Sequence, residues 1–176
     1  MKIHSAIITT VLVLTAAVAS AQTPVTKASI PGIVNFSKVE TTVACAGATT
    51  PAALVEVKRM GYNSVINLRT AGENGFDADA EAAAAKAAGI NYVHLPFNAQ
   101  SPDPALVDNF LKAITDKANQ PAFIHCASAN RAAALWMVKR IAVDKWDVDK
   151  ATEEATALGL TSPALKTFAI EQAKKH

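Results

Sequence analysis

Short apolar runs alternate with longer helix-like stretches along most of this chain, and that alternation leaves few folds open. Val43-Ala44-Cys45, Asn63 to Leu68 (NSVINL), Ile90 to Phe97 (INYVHLPF) and Pro121 to His125 (PAFIH) read as strands. Thr50 is placed to cap a helix with Pro51 in its first position, and Leu54, Val57 and Met60 give that helix its apolar stripe. An alanine-rich helix over Asp79 to Ala88 is stopped by Gly89. A third begins at Asp103-Pro104 and carries Leu106, Val107, Phe110, Leu111 and Ile114 on one face. Three more are expected over Asn130 to Val143, Asp147 to Leu158 and Ser162 to Lys174. Strands separated by helices pair in parallel through right-handed crossovers. The expected fold is therefore an α/β domain of three layers around a central, mostly parallel sheet.

The N-terminus reads as a targeting segment outside that fold. Lys2 supplies a positive start, Ala6 to Val18 is mostly apolar, and Ala19-Ser20-Ala21 fits a small-x-small cleavage site. The expected organisation is a signal peptide over 1–21, a polar linker over 22–34 and one domain over 35–176, in the periplasm or secreted. Residues 1–21 hold one of the 17 Lys and Arg and none of the 15 Asp and Glu, so the remainder carries a net charge near +1. That balance gives no reason to expect nucleic acid, or a membrane once the signal is cleaved. Anion binding has to be local.

One stretch supplies it. In PAFIHCASANRAAALWM a strand ends in His125 and Cys126, and Arg131 follows four small or polar residues later at the start of a helix. Such a turn collects free backbone N–H groups and the positive end of a helix dipole at the sheet edge where α/β proteins bind ligands. A cysteine there is placed to ionise, and an arginine fork can grip an oxyanion. Cys126 is the expected nucleophile, Arg131 the clamp, and the amides of Ala127, Ser128, Ala129 and Asn130 the cradle. A sulfur packed away from bulk water, or a guanidinium swung to the opposite side, would remove the enzymatic reading and leave only the architecture. Nothing in the spacing of His94 and His125 suggests a metal site.

The order of several segments resembles bacterial dual-specificity phosphatase-like proteins, including the phosphatase-like domain found beside beta-lactamase-like hydrolase domains. The segments are NFSKVETTVACAGATTPAAL, SVINLRTAGE, YVHLPF, HCASANR and KWDVDKATEEATALGLTSPAL, from about Asn35 to Leu165. The resemblance implies a cysteine-phosphatase-like fold and hydrolysis of a phosphate monoester through a phosphocysteine. It implies no cofactor, and as substrate a phosphorylated small molecule or phosphoprotein. The loop departs from the usual pattern of those phosphatases at three points. Four residues rather than five separate Cys126 from Arg131, Ala132 stands where Ser or Thr is usual, and Ala129 stands where Gly is frequent. The short loop also matches rhodanese-like sulfurtransferases, whose cysteine carries a single sulfur. Sulfur transfer and catalytically silent oxyanion binding therefore stay open.

A phosphatase of this kind uses a general acid. The family would supply it from NAQSPDPALVD, where Asn98 cannot serve and Asp103 is the nearest carboxylate, although Asp before Pro104 also reads as a helix cap. Asp108 reads as a partner of Lys112. Arg69 reads as a surface arginine or a secondary anion contact, and Glu73 and Asp77 lie in a Gly-containing loop without an assigned role. Trp136 and Met137 read as core. The resemblance also folds Cys45 back toward the active loop, where a Cys45–Cys126 disulfide would protect or silence the thiol.

Overall fold

The computed structural model describes residues 25–176. The expected signal peptide and its cleavage site lie outside them. Six strands form one sheet: β1 (Thr26–Ile30), β2 (Ile33–Val39), β3 (Val43–Ala46), β4 (Ser64–Asn67), β5 (Asn91–His94) and β6 (Ala122–His125), in the order β1-β2-β3-β6-β4-β5. β3, β6, β4 and β5 are parallel, while β1 and β2 extend one edge as an antiparallel hairpin. β6 thus occupies the middle of the sheet, and all four of its residues are buried.

Six helices complete the three layers: α1 (Leu54–Arg59), α2 (Ala78–Ala88), α3 (Leu106–Thr115), α4 (Asn130–Ala142), α5 (Val148–Leu158) and α6 (Pro163–Ala173). Successive strand residues face opposite sides. Ala44, Ala46, Val65 and Phe123 therefore pack against Leu54, Val57 and Ala85 of α1 and α2. Cys45, Ile66 and Ile124 pack on the other side, in a core shared with α3 to α6. α4 lies at the heart of that second core, with Leu135, Met137 and Val138 fully buried.

The expected linker is corrected. Its described part holds β1, and β2 starts at Ile33, so the hairpin belongs to the domain. Thr26, Lys27 and Ser29 look like linker residues because β1 is an edge strand with little buried surface. Two smaller corrections concern helix starts. Pro51–Ala53 form a 3₁₀ turn before α1, and the Thr50 side chain makes no capping bond. Asp77, Asp147 and Ser162 do cap, each accepting from an amide in the first turn of α2, α5 and α6.

Candidate active site

The turn after β6 stands where the sequence puts it, beyond the carboxyl ends of the parallel strands. The Cys126 amide donates to Ala46 O at 3.2 Å, and Ala48 N donates to Ala127 O at 2.8 Å. Gly47 allows this approach, since a Cβ there would stand 3.0 Å from Ala127 O and 3.1 Å from Val34 O. Ala129 adopts the left-handed φ of +78° and precedes α4 without any side-chain cap. For alanine that conformation costs about 1 kcal/mol. Ser128 bridges Gly47 in antiparallel fashion, and among the described residues the amides of Ala127 and Ser128 have no acceptor. An uncapped helix start with free amides is suited to an anion.

Arg131 is held rigidly. Its Nη1 donates to Glu73 Oε1 at 2.7 Å, to Phe97 O at 2.8 Å and to Leu68 O at 3.2 Å, and Nη2 donates to Glu73 Oε2 at 2.8 Å. A guanidinium has five N–H groups. These contacts leave Nε–H and one Nη2 hydrogen beyond Glu73 and the carbonyls, and the Cys126 sulfur lies within hydrogen-bonding reach of the guanidinium. Burial opposes the Arg131 charge, but the Glu73 hydrogen bonds and the nearby Cys126 sulfur outweigh it and push the pKa up. Burial would also raise the Glu73 carboxyl. Hydrogen bonds from Arg131 and from the amide and hydroxyl of Thr70 instead hold it down at about 2.

Cys126 is fully buried, and so is Cys45. The guanidinium is thus where expected, whereas the sulfur is not in contact with bulk water. Both cysteines are free thiols. Cys45 pairs in register with Ile124, which places it on the Cys126 side of the sheet and two residues out of step. Burial raises the Cys45 pKa beyond the ordinary thiol range, and the proximity of Cys126 and Glu154 adds to the rise.

The remaining expected site residues divide. Asn130 turns its side chain to the loop between α5 and α6, where Oδ1 accepts from Thr161 N at 2.7 Å and Ser162 N at 3.0 Å. Ser128 is exposed and accepts from Asn130 Nδ2 at 3.4 Å through Oγ. Asp103 does not cap α3, whose N-cap is Ala105 without a side-chain bond; it closes a turn just ahead of the helix, where Oδ1 accepts from Ala105 N at 2.7 Å. It lines a groove of about 360 Å³ with Phe168 and Gln172 of α6, and neither Cys126 nor Arg131 lines that groove. Asp108 pairs with His176 at 3.3 Å rather than with Lys112. Trp136 and Met137 are core.

Two features were not legible as parts of the site. Glu73 was left without a role because a lone acid in TAGENG carries no spacing that points to Arg131. Arg69, expected at the surface, is 4% exposed. It braces the Glu73 segment through Glu73 Oε2 at 3.2 Å and Asn74 O at 2.6 Å. On the opposite face of the sheet, His125 Nε2 meets Glu81 Oε1 at 2.6 Å, and Asn67 Nδ2 donates to Glu81 Oε2 at 3.0 Å. These three side chains are buried, so the pair anchors the end of β6 to α2.

Comparison with known proteins bears on the family and the fold. Residues 35–143 match the family described as beta-lactamase hydrolase-like protein, phosphatase-like domain. Beta-lactamase hydrolase-like proteins of two Xylella fastidiosa strains are each 36% identical over 89 residues, 49% of this chain and 20% of the relative. The matched segment therefore covers about a fifth of the length of those relatives. Among solved structures, Pseudomonas aeruginosa TpbA superposes with a TM-score of 0.64 at 22% identity, covering 90% of this chain and 92% of that one. The catalytic core of the Saccharomyces cerevisiae PP-IP phosphatase SIW14 gives 0.64 at 18% identity, covering 84% and 93%. At these identities the likeness concerns the fold.

Proposed function

Because the chain belongs to the phosphatase-like domain family of the beta-lactamase hydrolase-like proteins, we propose that it hydrolyses a phosphate monoester with Cys126 as nucleophile and Arg131 as clamp. The single observation that carries this reading is the Arg131 fork. Glu73 fixes one side of it, and the Cys126 sulfur lies within hydrogen-bonding reach of the guanidinium beside the uncapped start of α4. In the first step the Cys126 sulfur attacks phosphorus and the bond to the leaving oxygen breaks, giving a phosphocysteine and the alcohol. Water then attacks phosphorus, the S–P bond breaks, and phosphate leaves. Arg131 and the free amides steady the equatorial oxygens in both steps. A Cys-to-Ser form of TpbA has been crystallised with phosphotyrosine, which makes an aryl phosphate the natural first probe.

Asp103 is not assigned as the acid in this reading, since its carboxylate is engaged by the Ala105 amide and lines a groove that neither Cys126 nor Arg131 lines. Turnover is then expected to rise with the acidity of the leaving phenol. Asp103→Asn, which keeps the oxygen that accepts from Ala105 N, should leave that dependence in place.

Full burial of Cys126 and the four-residue loop favour a second reading, a rhodanese-like site for a single sulfur. Two assays on reduced protein separate them. Release of phosphate from an aryl phosphate, lowered about 10³-fold or more in Cys126→Ser, supports the first. Cyanide-dependent release of thiocyanate from thiosulfate supports the second. Equal phosphate release by both proteins would remove Cys126 as nucleophile. Failure of both assays would leave oxyanion binding without chemistry. Export is part of the same proposal, and periplasmic protein beginning at Gln22 is its expected signature.

A further inference from the structure

The turn that carries Cys126 and Arg131 is held from two sides by groups outside it. On one side Asn35, at a left-handed φ of +51°, donates from Nδ2 to Ser128 O at 3.3 Å, and Ser128 bridges Gly47. On the other side stands the loop between α5 and α6. Asn130 Oδ1 accepts from Thr161 N at 2.7 Å, from Ser162 N at 3.0 Å and from Thr161 Oγ1 at 3.2 Å. Ala129, one residue earlier, lies against Gly159 of the same loop, where an added Cβ would stand 3.2 Å from the Ala129 Cβ. The stretch LGLTSPAL, which carries no chemical group that the reaction needs, enters the frame of the site through these contacts. An asparagine oxygen near a helix start commonly turns to the amides of its own turn. Here it turns away, and α4 has no side-chain cap. The amides at its start are thereby left to an incoming anion.

We propose that Asn130 is a positioning residue for the oxyanion site. Its carboxamide oxygen ties the start of α4 to the α5–α6 loop, which keeps the turn open around an oxyanion and sets the neighbouring Arg131 beside Cys126. The side chain touches no reacting atom and acts through the backbone on which Arg131 and the turn amides sit. The inference rests on the hydrolytic reading for its effect on turnover, and on the loop geometry alone for its effect on oxyanion binding.

Wild type, Asn130→Ala, Asn130→Asp and Asp147→Ala test it on the intact chain. Asp147→Ala is the stability control: it removes the cap that accepts from Lys150 N at 2.8 Å, at the far end of α5 from Gly159. Each protein is read by urea unfolding, by turnover of an aryl phosphate and by calorimetry with tungstate, a tetrahedral oxyanion that is not hydrolysed. Asn130→Ala should lower kcat/KM about 10²-fold and weaken tungstate about tenfold, while Asp147→Ala lowers the urea midpoint and changes neither. Asn130→Asp keeps an oxygen for Thr161 N and Ser162 N, so only its added charge opposes the anion. Its deficit in tungstate affinity against wild type should shrink as salt rises, whereas that of Asn130→Ala should stay constant. Tungstate affinity within twofold of wild type in Asn130→Ala, an equal loss in Asp147→Ala, an Asn130→Asp deficit that salt does not move, or no tungstate binding by the wild type would overturn the proposal. Weaker tungstate binding by Asn130→Ala, in a protein that releases no phosphate from any probe, would keep the positioning role and discard the hydrolytic reading. Turnover that Asn130→Ala leaves unchanged would do the reverse.

Discussion

Arg131 and Arg140 lie on the same helix and meet opposite fates. Arg140 has four of its five N–H groups engaged: Nε and Nη2 bind Glu154 at 2.7 and 3.0 Å, Nη1 binds Asp144 at 2.9 Å, and Nη2 also meets Glu40 at 2.6 Å. Trp136 and Trp146 cover its two faces, with centroids 4.5 and 4.1 Å from the guanidinium carbon. Burial opposes its charge, but the carboxylates outweigh it and raise the pKa. Arg131 has one carboxylate, two backbone carbonyls and, for its remaining donors, only the Cys126 sulfur within reach. Both guanidiniums are anchored, so rigidity does not separate them. Unspent hydrogen-bonding capacity at a place where an anion can arrive does.

The sharpest way to break this contrast is to exchange the consequences. Arg131→Lys keeps the charge and loses the fork, so kcat/KM on an aryl phosphate should fall about 10²–10³-fold with a small change in Tm. Arg140→Met should leave kcat/KM within about twofold, because the two sites share no partner. It should, however, cost about 3 kcal/mol in urea unfolding, because Glu154 would stay buried without its counter-ion. If Arg140→Met loses activity at full stability, or Arg131→Lys loses stability at full activity, the division of labour along α4 is wrong.

Glu73 sharpens the comparison from the partner's side. Glu73→Gln preserves shape and some hydrogen bonding but removes the charge that orients Arg131, so kcat/KM should drop about tenfold. Stability carries a separate signature. The Glu73 carboxyl sits at about 2 in the folded protein against an ordinary 4.5. Its stabilisation is complete above 4.5 and fades as pH falls toward 2, where both states are protonated. Urea midpoints of wild type and Glu73→Gln should therefore differ most at neutral pH and converge between 4.5 and 2. A constant gap across that window would mean that Glu73 is not paired in solution.

The unequal visibility of these groups in the sequence has a physical basis. The parallel strands and the helices after them were legible because burial on one face or two imposes a local period, and Cys126 and Arg131 because one turn sets their spacing. Glu73 was not, since its role depends on Arg69 and Thr70 folding a glycine-containing loop back over the end of β4. The β1–β2 hairpin was missed for the opposite reason, since an edge strand carries little apolar pattern. Full burial of Cys126 was not legible either. It depends on how α4 and the guanidinium close over the turn, which no local pattern encodes.

The smallest expected effect concerns the backbone that sets Arg131 apart from Arg140. Arg140 sits in regular helix, whereas Arg131 follows a turn whose last residue, Ala129, is held at φ +78°. Its Cβ fits only because Gly159 faces it: a Cβ built at Gly159 would stand 3.2 Å away, and Gly159 itself has φ +115°. The two positions are thus one steric arrangement read from both sides. Ala129→Gly removes the left-handed penalty and should raise stability by about 0.5–1 kcal/mol, less the entropy that glycine adds to the unfolded chain. Gly159→Ala should lower it by about 1–2 kcal/mol. In the double variant the contact is gone, so the cost of Gly159→Ala should shrink to that of its own φ. A double-mutant cycle in urea reads that coupling directly, and strict additivity would show that the turn and the α5–α6 loop do not touch in solution.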